Sequence, residues 1–440
     1  MRLPIDDLKR VGELLARLSA QSGRPLPTSA LGRLRRTVTA AVRTGADLAI
    51  GHLRGRDGVE AEVLERLILS MGELKGLAMK MGQILSYLDT TLPPEARELL
   101  SILQTRSQPT AFAAIEATLR EDFGARADVL LAELVREPVA TASVGQVHRA
   151  SLPGGADVAV KVRHPGIEAA IRADFRSASI GKSLARLFAP GSDVNEFVAE
   201  AEARFLEECD YEQERRRQSR FAALYAGHPV VTIPTVHGQW CSRRVLTTSW
   251  HTGVGLDAFV QRATQPERDV AGRALYEFYL GSLYRHGLFN ADPHPGNLFF
   301  ERHGRLVVLD HGCVREFDAV TVIALADLSG AVRAGDDARM RAALEALGVR
   351  KPDGPGFDVT RRMLRAFFEP VLKAGVRSME AAVSLDLREV TRNKRSMLQL
   401  QLPGKLLFLF RIRFGLYAVL ARLGAKLDWQ ALEAEFSGRS

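Results

Sequence analysis

The segment GLFNADPHPGNLFF (287–300) and, just after it, RLVVLDHG (305–312) constrain this chain more tightly than any other stretch. Asp292 and Asn297 stand five residues apart, between a helical stretch and the short strand NLFF (297–300). Asp310 follows eighteen residues after Asp292, at the end of the apolar strand RLVVLD (305–310), with Gly312 behind it. Taken alone, DPHPGN reads equally well as a tight turn, because Asp, Pro, Gly and Asn are all turn formers. Order lifts it above that reading. Lys161 sits far upstream in ADVAVKV (156–162), where strand alternation puts it on the face opposite its valine neighbours.

The rest of the chain falls into four regions. Residues 1–60 are Arg-rich and read as helical, ending in GHLRGRDG. Residues 61–130 carry a helical apolar stripe, Leu64, Leu67, Met71, Leu74, Ala78, Met81, Leu85 and Leu88, closed by Pro93 and Pro94. Residues 131–252 are rich in short strands: ADVAVKV after the turn-like PGG, then VVTIPTV (230–236) and RVLTTSW (244–250), with a charged helical stretch from about 192 to 226 between them. Residues 253–440 are mostly helical, interrupted by NLFF and RLVVLD. A β-rich half followed by a helical half, with the polar residues at the junction, predicts a bilobal α+β fold.

Phosphoryl transfer from Mg-ATP needs oxygen ligands for the metal, a carboxylate near the attacking group and a cation on the phosphates. Lys161, Asp292, Asn297 and Asp310 supply these in the order in which kinases present them. A strand lysine used this way needs a carboxylate to hold it. The stretch ECDYEQE offers Glu208, Asp210 and Glu214, with Asp210 and Glu214 expected one helical turn apart on a shared face. Any one of the three also reads as a solvated helix charge.

With these pieces in place the chain resembles the AarF/UbiB/ADCK family of atypical, protein-kinase-like proteins. Four signatures carry the resemblance over residues 60–320: KMGQ (Lys80, Gly82, Gln83), PVATASVGQVHRA (138–150), ECDYEQE (208–214), and ADPHPGN followed by LDHG. A fifth stretch, LPGKLLFLFRIRFGLYAVL, is similar to the family's arginine-bearing C-terminal helix. The resemblance implies a bilobal kinase-like fold with an N-terminal helical extension and a helical C-terminal tail. It implies that Lys161 contacts phosphates and pairs with Glu214, that Asn297 and Asp310 hold Mg2+ or Mn2+, and that Asp292 sits where a catalytic base would. Ala140, Ala142, Ser143 and Gly145 would form the loop over ATP or ADP. Lys80 and Gln83 would plug the substrate groove, with Glu208, Asp210 and Arg411 in their network. Breaking such a buried charged plug costs several kcal/mol.

The implied function is an atypical kinase or ATPase in isoprenoid-quinone or prenyl-lipid metabolism, with a prenyl-lipid or quinone-precursor ligand and poor phosphorylation of other polypeptides. The alternative is a nucleotide-sensing scaffold without turnover. A conventional Ser/Thr kinase is disfavoured by KMGQ. The chain departs from the family pattern at Asn290, where many relatives carry His, and at Thr141 in the alanine run. His311 stands in the Phe position of DFG, which weakens a hydrophobic-switch reading, and Ser249 stands where the hinge commonly has an acid.

Several classes drop out. Cys209, Cys241 and Cys313 are dispersed, which argues against a zinc site and for reducing surroundings. A net charge of +8 over 440 residues favours anionic partners, but it lacks the aromatic interleaving of a nucleic-acid binder. TGVGL (252–256) is too short for a dinucleotide fingerprint, and His148, His164 and His294 read as loop or capping residues. The longest apolar run, Leu406 to Leu423, carries Arg411, Arg413 and Arg422, and the N-terminus has acids where a signal peptide would be basic. A cytoplasmic protein is expected, in peripheral contact with the inner membrane face through amphipathic helices such as residues 31–54.

Overall fold

The computed structural model describes residues 109–142, 144–176, 202–203, 205–349, 357–379 and 404–438. The helical stripe of residues 64–88, Lys80, Gln83, Ser143 and the side chain of Arg411 lie outside the described residues. Two compact units divide the chain, one of residues 1–212 with 239–247, the other of 213–238 with 248–440.

In the first unit, helices α1 (Phe112–Phe123) and α2 (Ala127–Ala132) precede strands β1 (Ala140–Thr141), β2 (Gly145–Ser151) and β3 (Asp157–Arg163), then helix α3 (Ile167–Arg176). The PGG turn forms as expected: Gly154 and Gly155 take φ of +100° and +84°, which side chains rarely adopt. It closes a seven-pair antiparallel ladder running from Gly145↔Arg163 to Ser151↔Asp157. Val158, Val160 and Val162 turn inward against Ile115, Leu119, Ala127 and Leu130, while Lys161 takes the other face, as the alternation predicts. Asp122 ties α1 to the sheet by accepting from Ser242 at 2.5 Å and from Arg244 Nε at 3.0 Å.

Helix α4 (Tyr211–Leu224) carries the chain onward. The expected continuous helix from 192 to 226 is broken at Cys209 and Asp210, among the residues described. Arg163 takes the Cys209 carbonyl at 2.6 Å, and Asp210 accepts the Glu212 N–H at 3.1 Å, so both residues are used as a turn. Asp210 therefore precedes the helix instead of sharing a face with Glu214. Of VVTIPTV only β4 (Val231–Thr232) is a ladder strand, because Pro234 cannot donate to a continued one. β5 (Val245–Ser249) joins β3 in the order β1-β2-β3-β5.

The second unit holds α5 (Leu256–Arg262), α6 (Gln265–Tyr276), a π-helical turn (Glu277–Gly281) and α7 (Ser282–His286). A capping box of Thr264 and Glu267 starts α6. Next come β6 (Leu288–Asn290), β7 (Leu298–Phe300), β8 (Leu306–Val308) and β9 (Val314–Glu316). β8 lies between β4, parallel, and β7, antiparallel, while β6 pairs with β9. The chain then runs through α8 (Ala319–Ala334), α9 (Asp337–Ala346), α10 (Phe357–Phe368), β10 (Arg377–Ser378), α11 (Gly404–Leu423), β11 (Lys426–Leu427) and α12 (Trp429–Ser437). Tyr276, Phe278, Tyr279, Leu328, Leu416, Leu420 and Trp429 form one core across these helices. No described helix is long and apolar enough to cross a membrane.

Candidate functional site

Two loops of the second unit carry the acidic residues, and the strand pairing explains their closeness. β6 pairs with β9 and β7 with β8, so the loop from β6 to β7 and the loop from β8 to β9 leave paired strand ends. Asn290, the last residue of β6 and only 1% exposed, joins them: its amide donates to the Asp310 carbonyl at 2.9 Å, and its Oδ1 accepts the Asp292 N–H at 3.1 Å. The sequence departure at 290 thus supplies both a donor and an acceptor to the two loops, which a single carboxamide can do. Within the first loop Asn297 Nδ2 donates to Asp292 Oδ2 at 2.9 Å. His294 Nδ1 accepts the Gly296 N–H at 3.0 Å, the capping role expected of it.

In the second loop the Gly312 N–H donates to Asp310 Oδ1 at 2.8 Å, and Arg217 Nη1 donates to the Gly312 carbonyl at 2.7 Å. Glu214, one turn before Arg217 on α4, is buried at 3% exposure. A methyl group placed on Gly312 would stand 3.2 Å from Asp310 Oδ1 and 3.7 Å from Glu214 Oε2, so the glycine lies between two carboxylates. His311 is fully buried against Phe221, with ring centroids 5.2 Å apart, and edge-on to Phe278 at 6.1 Å. Its imidazole packs as an aromatic ring between these two side chains.

Lys161 and the glycine of the 138–150 signature belong to the first unit. The Lys161 ammonium stands 5.0 Å from the centre of the Tyr211 ring, within cation–π range. Tyr211 is fully buried and pinned by its N–H to the Arg243 carbonyl at 3.1 Å. Gly145 lies under its hydroxyl: any Cβ there would meet Tyr211 Oη and, at 2.5 Å, the Val162 carbonyl. Ala140 and Thr141 form β1, and the Ala142 N–H donates to the Gly145 carbonyl at 2.7 Å, so the alanine loop is a hairpin tip. Lys161 and Glu214, expected as a pair, belong to different units.

The QVH of the same signature does other work. His148 is fully buried on β2, not a loop residue. Its Nδ1 meets the Val135 carbonyl at 2.8 Å, which can only accept, so Nδ1 carries the proton and Nε2 accepts from Gln146 at 2.9 Å. Gln146 in turn accepts the Thr110 N–H at 2.6 Å, and Thr110 Oγ1 meets His164 Nδ1 at 2.7 Å. Burial pushes the His148 pKa down.

Of the residues in the ECDYEQE stretch, Glu208 is half-buried in the short helical segment 205–208, and Asp210 pairs with Arg243 at 3.3 Å. Burial pushes the Cys209 thiol up to about 11. Asn290, Arg217, Tyr211 and Gln146 were not expected as site residues. In the sequence Arg217 stands out only as one of three consecutive arginines, and Tyr211 only as the centre of its motif.

Residues 102–344 match the ABC1 atypical kinase-like domain. The chain is 33% identical over 261 residues to atypical kinase coq-8, mitochondrial, of Caenorhabditis elegans, covering 58% of this chain and 34% of that one. It is 34% identical over 285 residues to the Arabidopsis thaliana protein ACTIVITY OF BC1 COMPLEX KINASE 3, chloroplastic, covering 63% and 39%. An uncharacterized Synechocystis protein is 34% identical over 301 residues, 66% of this chain and 43% of that one. The chain thus spans less than half the length of these curated relatives. Among solved structures, Rv3197 of Mycobacterium tuberculosis, determined in complex with erythromycin, superposes with a TM-score of 0.61 at 28% identity, covering 85% of this chain and 95% of that one. The domain match takes in more than half of the chain, and the fold is the mixed α+β of kinase-like proteins, so the chain belongs to the ABC1 atypical kinase-like family.

Proposed function

We propose that this chain binds Mg-ATP or Mg-ADP, with Mn2+ able to replace Mg2+, and turns ATP over slowly as an atypical kinase or ATPase serving prenyl-lipid or isoprenoid-quinone metabolism. The observation that carries the reading is the Asn290 bridge, which holds the Asp292–Asn297 loop and the Asp310 loop by one buried amide. The donor set suits the metal. Asp310 offers carboxylate oxygen and Asn297 an amide oxygen, hard ligands of the kind magnesium takes sparingly from protein while keeping water and phosphate oxygens. Bound magnesium neutralises charge on the phosphates. Lys161 would bear on the phosphates from its strand, with Glu214 as its carboxylate partner, beneath the loop of Ala140, Ala142, Ser143 and Gly145. Asp292, oriented by Asn297, would take the proton of the attacking hydroxyl or water.

Poor transfer to polypeptides belongs to the same reading, through the groove plug of Lys80 and Gln83 with Glu208, Asp210 and Arg411. So does a cytoplasmic location with peripheral contact at the inner membrane face. The test is phosphate release from Mg-ATP by the wild type and by Asp310→Asn, with and without anionic vesicles containing prenylated phenols. Turnover that rises with vesicles and disappears in the variant supports the proposal. Equal inertness of the two proteins while both bind nucleotide would replace it with the nucleotide-sensing scaffold.

A further inference from the structure

A second polar cluster of the same unit lies away from the acidic loops and is fully enclosed. Glu433 on α12 is 0% exposed, and three hydroxyls from three separate helices donate to its carboxylate. They are Tyr276, Tyr284 at 2.8 Å and Ser329 at 2.7 Å. Arg413 of α11, with its side chain 6% exposed, completes the set with Nη2 at 2.8 Å. Its Nε donates to Tyr417 at 2.5 Å and its Nη1 to Tyr284 at 3.2 Å. Burial alone would raise the Glu433 pKa, but the guanidinium and the hydroxyls hold it below the usual value, so the carboxylate is ionised.

The two tyrosines flank the π turn, and the turn is what lets both reach one carboxylate. Eight residues of α-helix rotate through about 800°, which would leave Tyr276 and Tyr284 about 80° apart. A π turn absorbs one extra residue, so the step behaves as seven and the offset falls to about 20°. The turn's own residues face the acidic loops. Tyr279 Oη donates to the Asp292 carbonyl at 3.5 Å, and Phe278 packs edge-on to His311. On its outer side Gly281 fits against Phe436 of α12, where an added Cβ would stand 3.1 Å from the ring.

We infer that Glu433 is a positioning residue: by holding Tyr276 and Tyr284 on one face it maintains the π turn, and through Tyr279 and Phe278 the turn sets the loops that carry Asp292 and Asp310. The inference rests on the nucleotide-turnover reading for its kinetic consequence only. Its structural consequence stands apart, and the experiment reads both.

The full chain is prepared as wild type, Glu433→Gln, Tyr279→Phe and the double variant. Backbone hydrogen exchange is followed in the peptides spanning 288–297 and 309–314, together with kcat and KM for Mg-ATP. Glu433→Gln puts an amide N–H₂ among donors. It should speed exchange in both loops and lower kcat about tenfold, with KM moving less than about twofold, because the loops lose alignment while the nucleotide contacts remain. Tyr279→Phe leaves the carboxylate cluster intact and should reproduce the effect on 288–297, with the double variant no worse than Glu433→Gln alone. Wild-type exchange in both loops of a folded Glu433→Gln would overturn the inference, however far its melting temperature fell. If Glu433→Gln does not fold, unchanged exchange of 288–297 in Tyr279→Phe overturns it instead. Faster loop exchange in a protein without turnover upholds the positioning role and rejects the turnover reading.

Discussion

The acidic loops and the Glu433 cluster belong to one compact unit, and both are built around carboxylates, yet they treat charge in opposite ways. Glu433 is sealed from solvent and surrounded by three hydroxyls and a guanidinium. Asp292 and Asp310 remain partly exposed, and the loops bearing them are held by Asn290, Asn297 and the Gly312 N–H. A carboxylate whose acceptor sites are filled from within is finished as structure. Carboxylates on partly exposed loops are the ones that the proposed function assigns to a ligand. The difference separates a charge enclosed by the fold from charges on its partly exposed loops.

The largest expected effect tests that contrast directly. Glu433→Leu strands the Arg413 guanidinium in the core, and removal of one member of a buried ion pair costs about 3–5 kcal/mol. Asp310→Asn leaves a neutral isostere in a partly exposed loop and should change stability by less than about 1 kcal/mol. Denaturant unfolding of both variants at neutral pH decides the matter. A comparable loss in the two would erase the distinction. The acid limb gives the same contrast a sign. Because the folded Glu433 pKa lies below its ordinary value of 4.5, its stabilisation is fully present above that pH and drains away as pH falls through the folded value. Glu433→Gln should lack that part of the acid limb.

Next in size is Asn290→Ala. It removes the bonds to the Asp310 carbonyl and the Asp292 N–H, both made by that one amide, and should cost about 2 kcal/mol. Asn290→His, which restores a side chain able to donate and accept, should recover part of the loss if the bridge is what matters. Equal unfolding midpoints for the Ala and His variants would show that the loops do not depend on it.

How much of this was legible in the sequence follows the same division. The order Lys161, Asp292, Asn297, Asp310 was readable because those residues lie on short strands and tight loops, where spacing converts directly into place. The face of Lys161 followed from strand alternation, and the break at Cys209–Asp210 did not, because it depends on Arg163 reaching a backbone carbonyl from another element. Asn290 was read as a departure from a pattern, and only the β6–β9 pairing gives it two loops to bridge. The Glu433 cluster was out of reach. Its members run from 276 to 433, and their meeting depends on a π turn that no propensity encodes. In the sequence Arg413 reads as a charge that spoils a membrane span, with nothing to pair it with Glu433.

A third way of holding charge sharpens the comparison. Lys161 stands over the Tyr211 ring, so the ring quadrupole bears on its cation. Tyr211→Phe keeps the ring and should leave Mg-ADP affinity within about twofold of wild type. Tyr211→Leu removes the ring and should weaken it by about 1 kcal/mol, roughly fivefold, with adenosine affinity unchanged if, as proposed, the lysine addresses phosphate alone. Titration calorimetry with both ligands reads the difference. Parallel losses for ADP and adenosine would mean that Tyr211 supports the sheet and nothing more.

The smallest effect concerns a buried polar group that carries no charge at all. His148 is enclosed like Glu433, but its two partners, the Val135 carbonyl and the Gln146 amide, suit only the neutral ring: one nitrogen donates and the other accepts. Protonating it would set a second N–H against the Gln146 amide. Its folded pKa therefore lies below the ordinary 6.5, so the unfolded chain binds the proton first as pH falls. Stability from this residue is intact above pH 6.5 and declines through the window below it, until the folded pKa is passed. The slope cannot exceed one proton, about 1.4 kcal/mol per pH unit. His148→Gln presents an acceptor and a donor without a titrating proton, and unfolding free energies between pH 7 and 5 should fall less steeply for it than for the wild type. Equal slopes would mean that His148 is free to protonate in the folded chain, and that enclosure by neutral partners does not constrain charge as enclosure by Arg413 does.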